Sequence, residues 1–428
     1  MKLSFQYFSE PNVNVTGANT PGNDLSPEMK TYYDTELIAT AKPTLVHAQF
    51  GIARPLPAGK GKVIEWRRWS SFDKAMNPLT EGVTPDGNRL NVSYVTQELQ
   101  QYGDYTMISD VLELTAIDDV VLEATDMHGE NMGKTLDAVT RDELVTGSNV
   151  LYAPIVSGDT VTPVTSRGAL TAAAKLTPEV VAQAANQLKL ANAPKIDGSY
   201  VAIVHPYVAY DLMRNPEFQD IHKYSEAVKC LFDGEIGKLY GVRFVESTEA
   251  KIYEGKPLTA ASATLTAGAA ASASTGSSVT QLAVDEAIVT GDRVLSATAD
   301  APILLNVGGT TFTCVGAVAG AAGSAKIKIQ QPHAAIADEA EIFAGDAGYE
   351  NLPVFACLFL GKGAYGTVDL EDGCEVIVKQ KGSGGSCDPL DQRSSVGWKA
   401  TYAAKILIPE YIVRVECGSS FSGEAHGN

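Results

Sequence analysis

Hydrophobic positions recur at helical spacing most clearly between residues 109 and 147, where Ile117, Val120, Val121, Ala124, Met127, Leu136 and Val139 mostly keep the 3.6-residue period. Ser109 or Thr115 can cap this stretch, Thr115 with Asp118 fits a capping box, and Gly147 is a natural stop. About 30 residues at 1.5 Å each predict a rod of roughly 45 Å, with Gly129 and Gly133 as the points where it would break. "TPEVVAQAANQLKL" opens on Thr177 as cap with Pro178 at the first helical position. "YVAIVH" reads as a buried strand feeding a helix that begins at Pro206, and "TYYDTELIATAKPTLVHAQF" as a short amphipathic helix stopped by Pro43.

Elsewhere the pattern is that of strands. "KVIEWRRWSSF" and "VSYVTQELQQYGDYTMI" are two β-rich arms around a turn-rich tip, "DKAMNPLTEGVTPDGNRL". Ten paired residues at ~3.3 Å would make a ribbon about 33 Å long. Neither arm is apolar enough to be buried and an isolated hairpin is marginal in water, so the ribbon should lie on another surface. Residues 280–342 carry short β-prone runs separated by Gly and Ala, and "LPVFACLFLGKGAYGTVDL" and "GWKATYAAKILIPEYIVRVE" are rich in β-branched residues. Between Leu258 and Ser278 every residue except Leu258 and Leu265 is Ala, Gly, Ser or Thr, which reads as a loosely packed linker. Residues 1–30, rich in Gly, Pro, Asn and Ser, read as an extended arm.

Composition narrows the class. The 428 residues suggest roughly three domains at ~150 residues each. With 33 basic and 51 acidic residues the net charge is −18, which argues against sequence-independent nucleic-acid binding through Lys and Arg. The six cysteines include no CxxC, so neither a disulfide framework nor a zinc site is expected. "MKLSFQYFSEPN" lacks the apolar run of a signal peptide, and "PVFACLFLG" is under half a membrane span. The expectation is a chain that is neither exported nor inserted in a membrane, in which the sequons at Asn14 and Asn91 are chance matches.

Motifs for chemistry fail on context. "GKGAYG" matches GxGxxG but lacks the following helix and acid of a dinucleotide site, so it reads as a turn between strands. "HGENMGKT" puts His128 where a phosphate-binding loop needs glycine, inside a helical pattern. The histidines are scattered, and His205 before Pro206 suits a cap better than catalysis. Acidic neighbours such as Asp118–Asp119 and Asp142–Glu143 do not face each other on a helix. No catalytic, cofactor or metal-binding residue is assigned, and the reading is a protein that is not an enzyme.

One electrostatic contrast stands out. From Arg54 to Arg89 the bases are Arg54, Lys60, Lys62, Arg67, Arg68, Lys74 and Arg89, against four acids, whereas residues 106–147 hold ten acids against Lys134 and Arg141 alone. A basic ribbon with aromatics beside an acidic rod suggests that copies associate ribbon on rod; ordinary solvated faces are the competing reading. Trp66 and Trp69 beside arginines favour an interface. The expected intersubunit residues are Trp66, Arg67, Arg68 and Trp69 on the ribbon, and Asp118, Asp119 and Glu123 on the rod.

The succession of arm, ribbon, long helix, mixed region and late strands resembles the tailed-bacteriophage major capsid protein. "KVIEWRRW", "VAIVHPYVAYDL" and "DPLDQRSSVGWKATYAAKILIPEYIVRVE" look like the branch of coliphage N-four-like podovirus capsid proteins. The resemblance implies an α+β phage major capsid fold: residues 1–30 an N-terminal arm, 31–58 a short helix and lead-in, 59–105 an extended β-hairpin loop, and 106–150 the spine helix of a peripheral domain. It further implies that 151–255 and 345–395 form an axial domain, that 256–344 is an inserted small β domain with an Ala/Gly/Ser/Thr-rich linker, and that 396–428 supplies peripheral strands and tail. The implied role is self-assembly into pentamers and hexamers of an icosahedral head enclosing double-stranded DNA without sequence-specific binding. Portal and scaffolding proteins are the implied partners, with a decoration protein as a further one. The implied location is the virion, assembled in the host cytoplasm. An encapsulin-like compartment is the alternative use of the fold; an acidic hydrolase or adhesin is a third reading without a motif behind it.

Overall fold

The computed structural model describes residues 13–16, 24–25, 46–57, 61–69, 89–116, 119–158, 160–223, 237–261, 264–274, 279–299, 301–307, 310–331, 333–381 and 390–428, with single positions in 70–88 and at 383. Most of the arm and the helix expected before Pro43 lie outside these residues. The chain divides into two compact units: Met1–Lys42, Gly51–Thr140 and Tyr365–Leu407 form one, and Pro43–Phe50, Arg141–Ala364 and Ile408–Asn428 the other.

The first unit is built on a six-stranded sheet in the order Asp24–Leu25, Val13–Thr16, Gln100–Ser109, Arg393–Ile406, Tyr365–Lys379, Ile52–Ala53. Its centre is antiparallel: Ser109 pairs with Arg393 at one end and Gln100 with Tyr402 at the other, while Tyr365 opposes Ile406. Gly397 is required here, because a Cβ would lie 2.7 Å from that of Tyr105 on the next strand. This pairing puts Tyr365–Lys379 and Arg393–Ile406 in one sheet with Gln100–Ser109, in the first unit, whereas the later strand Ile412–Cys417 lies in the second.

Two helices cover this sheet. Asp110–Thr115 is capped by Ser109, whose Oγ accepts from Leu112 N at 3.3 Å, and Val120–Leu144 follows. The expected rod is therefore interrupted, but before residue 120 instead of at the glycines. Ala116 takes an extended ψ of 145°, and Asp119 Oδ1 accepts from Leu122 N at 3.1 Å to start the second helix. Thr115 forms no capping box, since its hydroxyl donates to Val111 O within the first helix. The 25 residues of the second helix span about 37 Å. They run through Gly129 and Gly133 because tertiary bonds hold them. Trp398 Nε1 donates to Asn131 Oδ1 at 2.9 Å, His128 Nε2 meets Thr106 Oγ1 at 3.0 Å, and Thr140 Oγ1 meets Tyr402 Oη at 2.8 Å.

The second unit carries a sheet in the order Lys238–Leu239, Val242–Glu246, Tyr200–Val204, Val354–Leu360, Ile412–Cys417, Val150–Tyr152, with Ile252–Tyr253 beside the start of Val354–Leu360. Every residue of its three central strands is buried, as expected for strands covered on both faces. Helices Pro178–Leu190 and Pro206–Met213 supply Val180, Val181, Ala184, Leu188, Val208 and Leu212 to the same core. Thr177 caps the first and His205 the second. Within the core, fully buried Glu416 accepts from Arg167 Nε at 2.7 Å, Arg167 Nη2 at 2.5 Å and Arg414 Nε at 2.9 Å. The Arg167 guanidinium also lies 3.5 Å from the Tyr253 ring centre. Burial opposes the Arg167 charge, yet the hydrogen bond and charge of Glu416 outweigh it and raise its pKa.

Residues 258–344 form a separate small core of Leu265, Leu282, Leu305, Phe312, Ile327, Ile329, Ile342 and their neighbours. Its six strands run Leu265–Thr266, Glu341–Ala344, Ile303–Val307, Thr310–Val318, Lys326–Gln330, Val279–Ala283. The two end strands then bond to each other: Gly268 N donates to Ala283 O at 2.9 Å and Asp285 N to Thr266 O at 3.0 Å, so the sheet closes into a barrel. The Ala/Gly/Ser/Thr-rich stretch is thus no linker. Leu258 and Leu265 are fully buried in the barrel core, and Ala271 and Ser274 bridge to Ile336 and His333. Small uncharged side chains can pack at a barrel seam, which composition alone cannot reveal.

Two outcomes follow from the second unit. Glu416→Gln leaves one buried and one half-buried guanidinium group facing a neutral amide, and should cost about 3 kcal/mol in urea unfolding. His205 is buried, which lowers its pKa to about 4, and its neutral Nδ1 accepts from Tyr207 N at 3.2 Å. Unfolded, it titrates near 6.5, so the unfolded chain binds the proton more readily and stability rises with pH through this window. The urea midpoint should be flat above about pH 6.5 and fall as pH drops toward 4, and His205→Asn should flatten that fall while keeping a cap. Asp211 acts in a lower window. Burial raises its pKa, but bonds from Ser420 and Ser419 and the charge of Lys175 overcome this and lower it, so its contribution is lost only below the usual carboxylate range.

Candidate intersubunit interface

The ribbon is a hairpin of Val63–Trp69 and Val92–Glu98, in register from Val63 opposite Glu98 to Trp69 opposite Val92. Seven residues pair on each side, so the second arm is shorter than the ten expected. Leu99 ends it: the side chain is buried, its N–H donates to Lys62 O at 2.8 Å, and from Gln100 the chain joins the six-stranded sheet.

Alternation along the strands divides the hairpin into two faces. Ile64 and Trp66 point to the unit's own core, packing with Leu56, Leu99, Val368 and Ala403. The Trp66 ring lies over Gly366, where a Cβ would be 3.0 Å from Cζ2. Trp66 is therefore half-buried against its own unit and anchors the hairpin base. Arg68 shares its parity but is exposed. The opposite face carries Glu65, Arg67 and Trp69 against Thr96, Tyr94 and Val92. Arg67 Nε bonds Glu65 Oε1 at 2.6 Å, and Lys62 pairs with Glu98, so the basic charge is partly compensated on the hairpin itself.

From Arg67 to Tyr94 every described residue is exposed. Among them are Trp69 at 62%, Phe72, Met76, Leu90, Val92 and Tyr94 at 69%. Large apolar side chains concentrated on one ribbon, uncovered by their own chain, mark an interaction surface. Tyr94, Phe72, Met76 and Leu90 escaped the sequence reading; the period-2 parity that joins Tyr94 to Trp69 was the available signal for Tyr94.

On the rod, Asp119 is exposed and caps the long helix, Glu123 is half-buried in its first turn, and Asp118 lies outside the described residues. The acidic tally is not one surface. Asp137 is buried, Glu130 pairs with Lys134, and Asp142 pairs with Arg141 and Lys251. Exposed acids remain at Glu113, Asp119 and Asp126, with Asp110 half-buried, interleaved with exposed Val111, Leu114 at 74%, Leu122 and Met127 at 70%. The rod's exposed patch is thus apolar as well as acidic, a counterpart to the aromatic and basic hairpin. The other singled-out motifs are structural: "GKGAYG" is the turn between Val354–Leu360 and Tyr365–Lys379, and His128 packs within the long helix. Among the described residues no cluster of His, Cys, Asp and Glu could hold a metal ion, and no helix is long and apolar enough to cross a membrane.

The two tryptophans should separate in the isolated subunit. Trp66→Ala should cost about 2–3 kcal/mol in urea unfolding by leaving a gap at the hairpin base, whereas Trp69→Ala should stay within about 0.5 kcal/mol.

Residues 94–255 match the family model described as phage capsid protein. No curated protein matches the sequence. Among solved structures, the capsid structure of cyanophage P-SCSP1u is similar at a TM-score of 0.54 and 14% identity, covering 91% of this chain and 93% of that one. The capsid of Ralstonia phage GP4 follows at a TM-score of 0.50 and 10% identity, covering 94% and 98%. At these identities the likeness is one of fold.

Proposed function

We propose that this chain, whose residues 94–255 match the phage capsid family model and whose fold is similar to solved phage capsids, is the major capsid subunit of a tailed bacteriophage, assembling into the pentamers and hexamers of an icosahedral head around double-stranded DNA. The observation that carries this reading is the exposed outer half of the hairpin. A ribbon bearing Trp69, Phe72, Met76, Leu90, Val92 and Tyr94 in water is a surface made to be covered. Its occupant is a second copy, whose exposed Val111, Leu114, Leu122 and Met127 offer apolar area and whose Asp110, Glu113, Asp119 and Asp126 face Arg67, Arg68 and Arg89. Charge fixes the register of such a contact; the aromatic and aliphatic groups supply most of its strength.

In this reading residues 1–30 are the arm, the hairpin and six-stranded sheet belong to the peripheral domain, the second unit's sheet is the axial domain, and the barrel is an insertion. The role is structural, without catalysis. Portal, scaffolding and decoration proteins are proposed partners, the head is the proposed location and the host cytoplasm the proposed place of assembly. An encapsulin-like compartment is not favoured, since the family match and the structural neighbours are phage capsids. The finer likeness to N-four-like podoviruses stays a proposal resting on the three quoted strings.

Replacing Trp69 and Tyr94 together by Asp should abolish shells while leaving a folded subunit with an unchanged urea midpoint. Gradient sedimentation and negative-stain microscopy of the double variant check this; closed shells of normal size would overturn the hairpin contact.

A further inference from the structure

Among the described residues, two junctions join the barrel of residues 258–344 to its parent unit. The first is its stem. The outgoing segment holds two consecutive non-glycine residues in the left-handed region, Glu350 (φ 51°) and Asn351 (φ 64°), a strained arrangement for L side chains. Asn351 Nδ2 donates to Gly255 O at 3.1 Å, clasping the incoming segment, and a Cβ at Gly255 would overlap the Asn351 side chain. Asn351 Oδ1 is buried there without a hydrogen-bond partner. Such a buried orphan acceptor beside a strained backbone marks a place held by its surroundings rather than by its own preference.

The second place is the turn Arg167–Ala169. On the barrel strand Ile303–Val307, Ile303 and Leu305 point into the barrel core, so Asn306 belongs to the outer face, yet it is only 1% exposed. Its Nδ2 donates to Gly168 O at 2.8 Å, and its amide lies so close that a Cβ on Gly168 would sit 2.7 Å from Asn306 Cγ. The same turn receives the stem, because Tyr349 N donates to Leu170 O at 2.8 Å. Arg167, one residue away, is the guanidinium that grips Glu416 in the core strand.

We propose that the barrel is a latched arm, turning at the stem pair Glu350–Asn351 and held in this pose by the amide of Asn306 seated on Gly168. The latch is polar and small, the barrel core is separate from the parent core, and the stem is the strained element, so release costs the parent little of its own packing. Because the latch turn also holds Arg167, movement of the barrel is transmitted to Glu416 and the strand Ile412–Cys417. The inference rests on contacts inside one unit and stands whether or not the chain builds shells.

Hydrogen exchange by mass spectrometry on the full chain tests it with two variants on opposite sides of the latch, Asn306→Leu and Gly168→Ala. In both, peptides covering 166–171 and 345–353 should exchange about tenfold faster, while barrel-core peptides 310–318 and 326–330 keep native protection. Unchanged exchange at 166–171 and 345–353 in both variants would overturn the latch. Loss of protection in the barrel core together with the stem would overturn the arm, since the barrel would then be one cooperative body with its parent.

Discussion

A two-stranded ribbon has only one neighbour per strand, and half of its side chains must find cover beyond it. In this protein that constraint is met at the base, where Ile64 and Trp66 sink into the unit's own apolar cluster, and is left unmet from Arg67 outward. The rest of the first unit serves the base. The long antiparallel pairing of Gln100–Ser109, Arg393–Ile406 and Tyr365–Lys379 brings Val368 and Ala403 under Trp66, and the helix above the sheet is fixed through Trp398, Tyr402 and His128. A rigid root with an uncovered tip delivers side chains at a distance from the body without asking the body to change shape.

Much of this was legible in the sequence, and the misses share a cause. The two β-rich arms around a turn-rich tip point to the hairpin, the Thr177 and Pro178 pair to the helix start, and "YVAIVH" to a buried strand. The distinction between Trp66 and Trp69 was written in parity, but parity shows only that two residues differ by an odd number of positions, never which face is covered. That depends on Val368 and Ala403, some 300 residues away. Glycines weaken a helix locally and so mark the expected break; the chain breaks instead where Asp119 can cap a new start, and tertiary bonds carry it through Gly129 and Gly133. Local cost lost to long-range support.

The Ala/Gly/Ser/Thr-rich stretch failed for a related reason. Its composition satisfies every local rule for a linker, yet Leu258 and Leu265 pin it into a core assembled mostly from later strands. Likewise, the charge contrast between ribbon and rod was real in the sequence but diluted in space. Two of the rod's acids, Glu130 and Asp142, are spent on Lys134, Arg141 and Lys251, and Arg67 is engaged by Glu65. What remains complementary is smaller, more apolar and confined to the hairpin's outer half and the start of the helical region.

The seam that joins Gly268 to Ala283 and Thr266 to Asp285 also has a colloidal consequence. Any particle displaying this appendage on every subunit crowds many identical β modules into a thin layer. Open sheets packed that densely would recruit one another through their bare rims and glue particles together. A module whose first and last strands satisfy each other has no such rim at the seam, so a crowded suspension can stay dispersed.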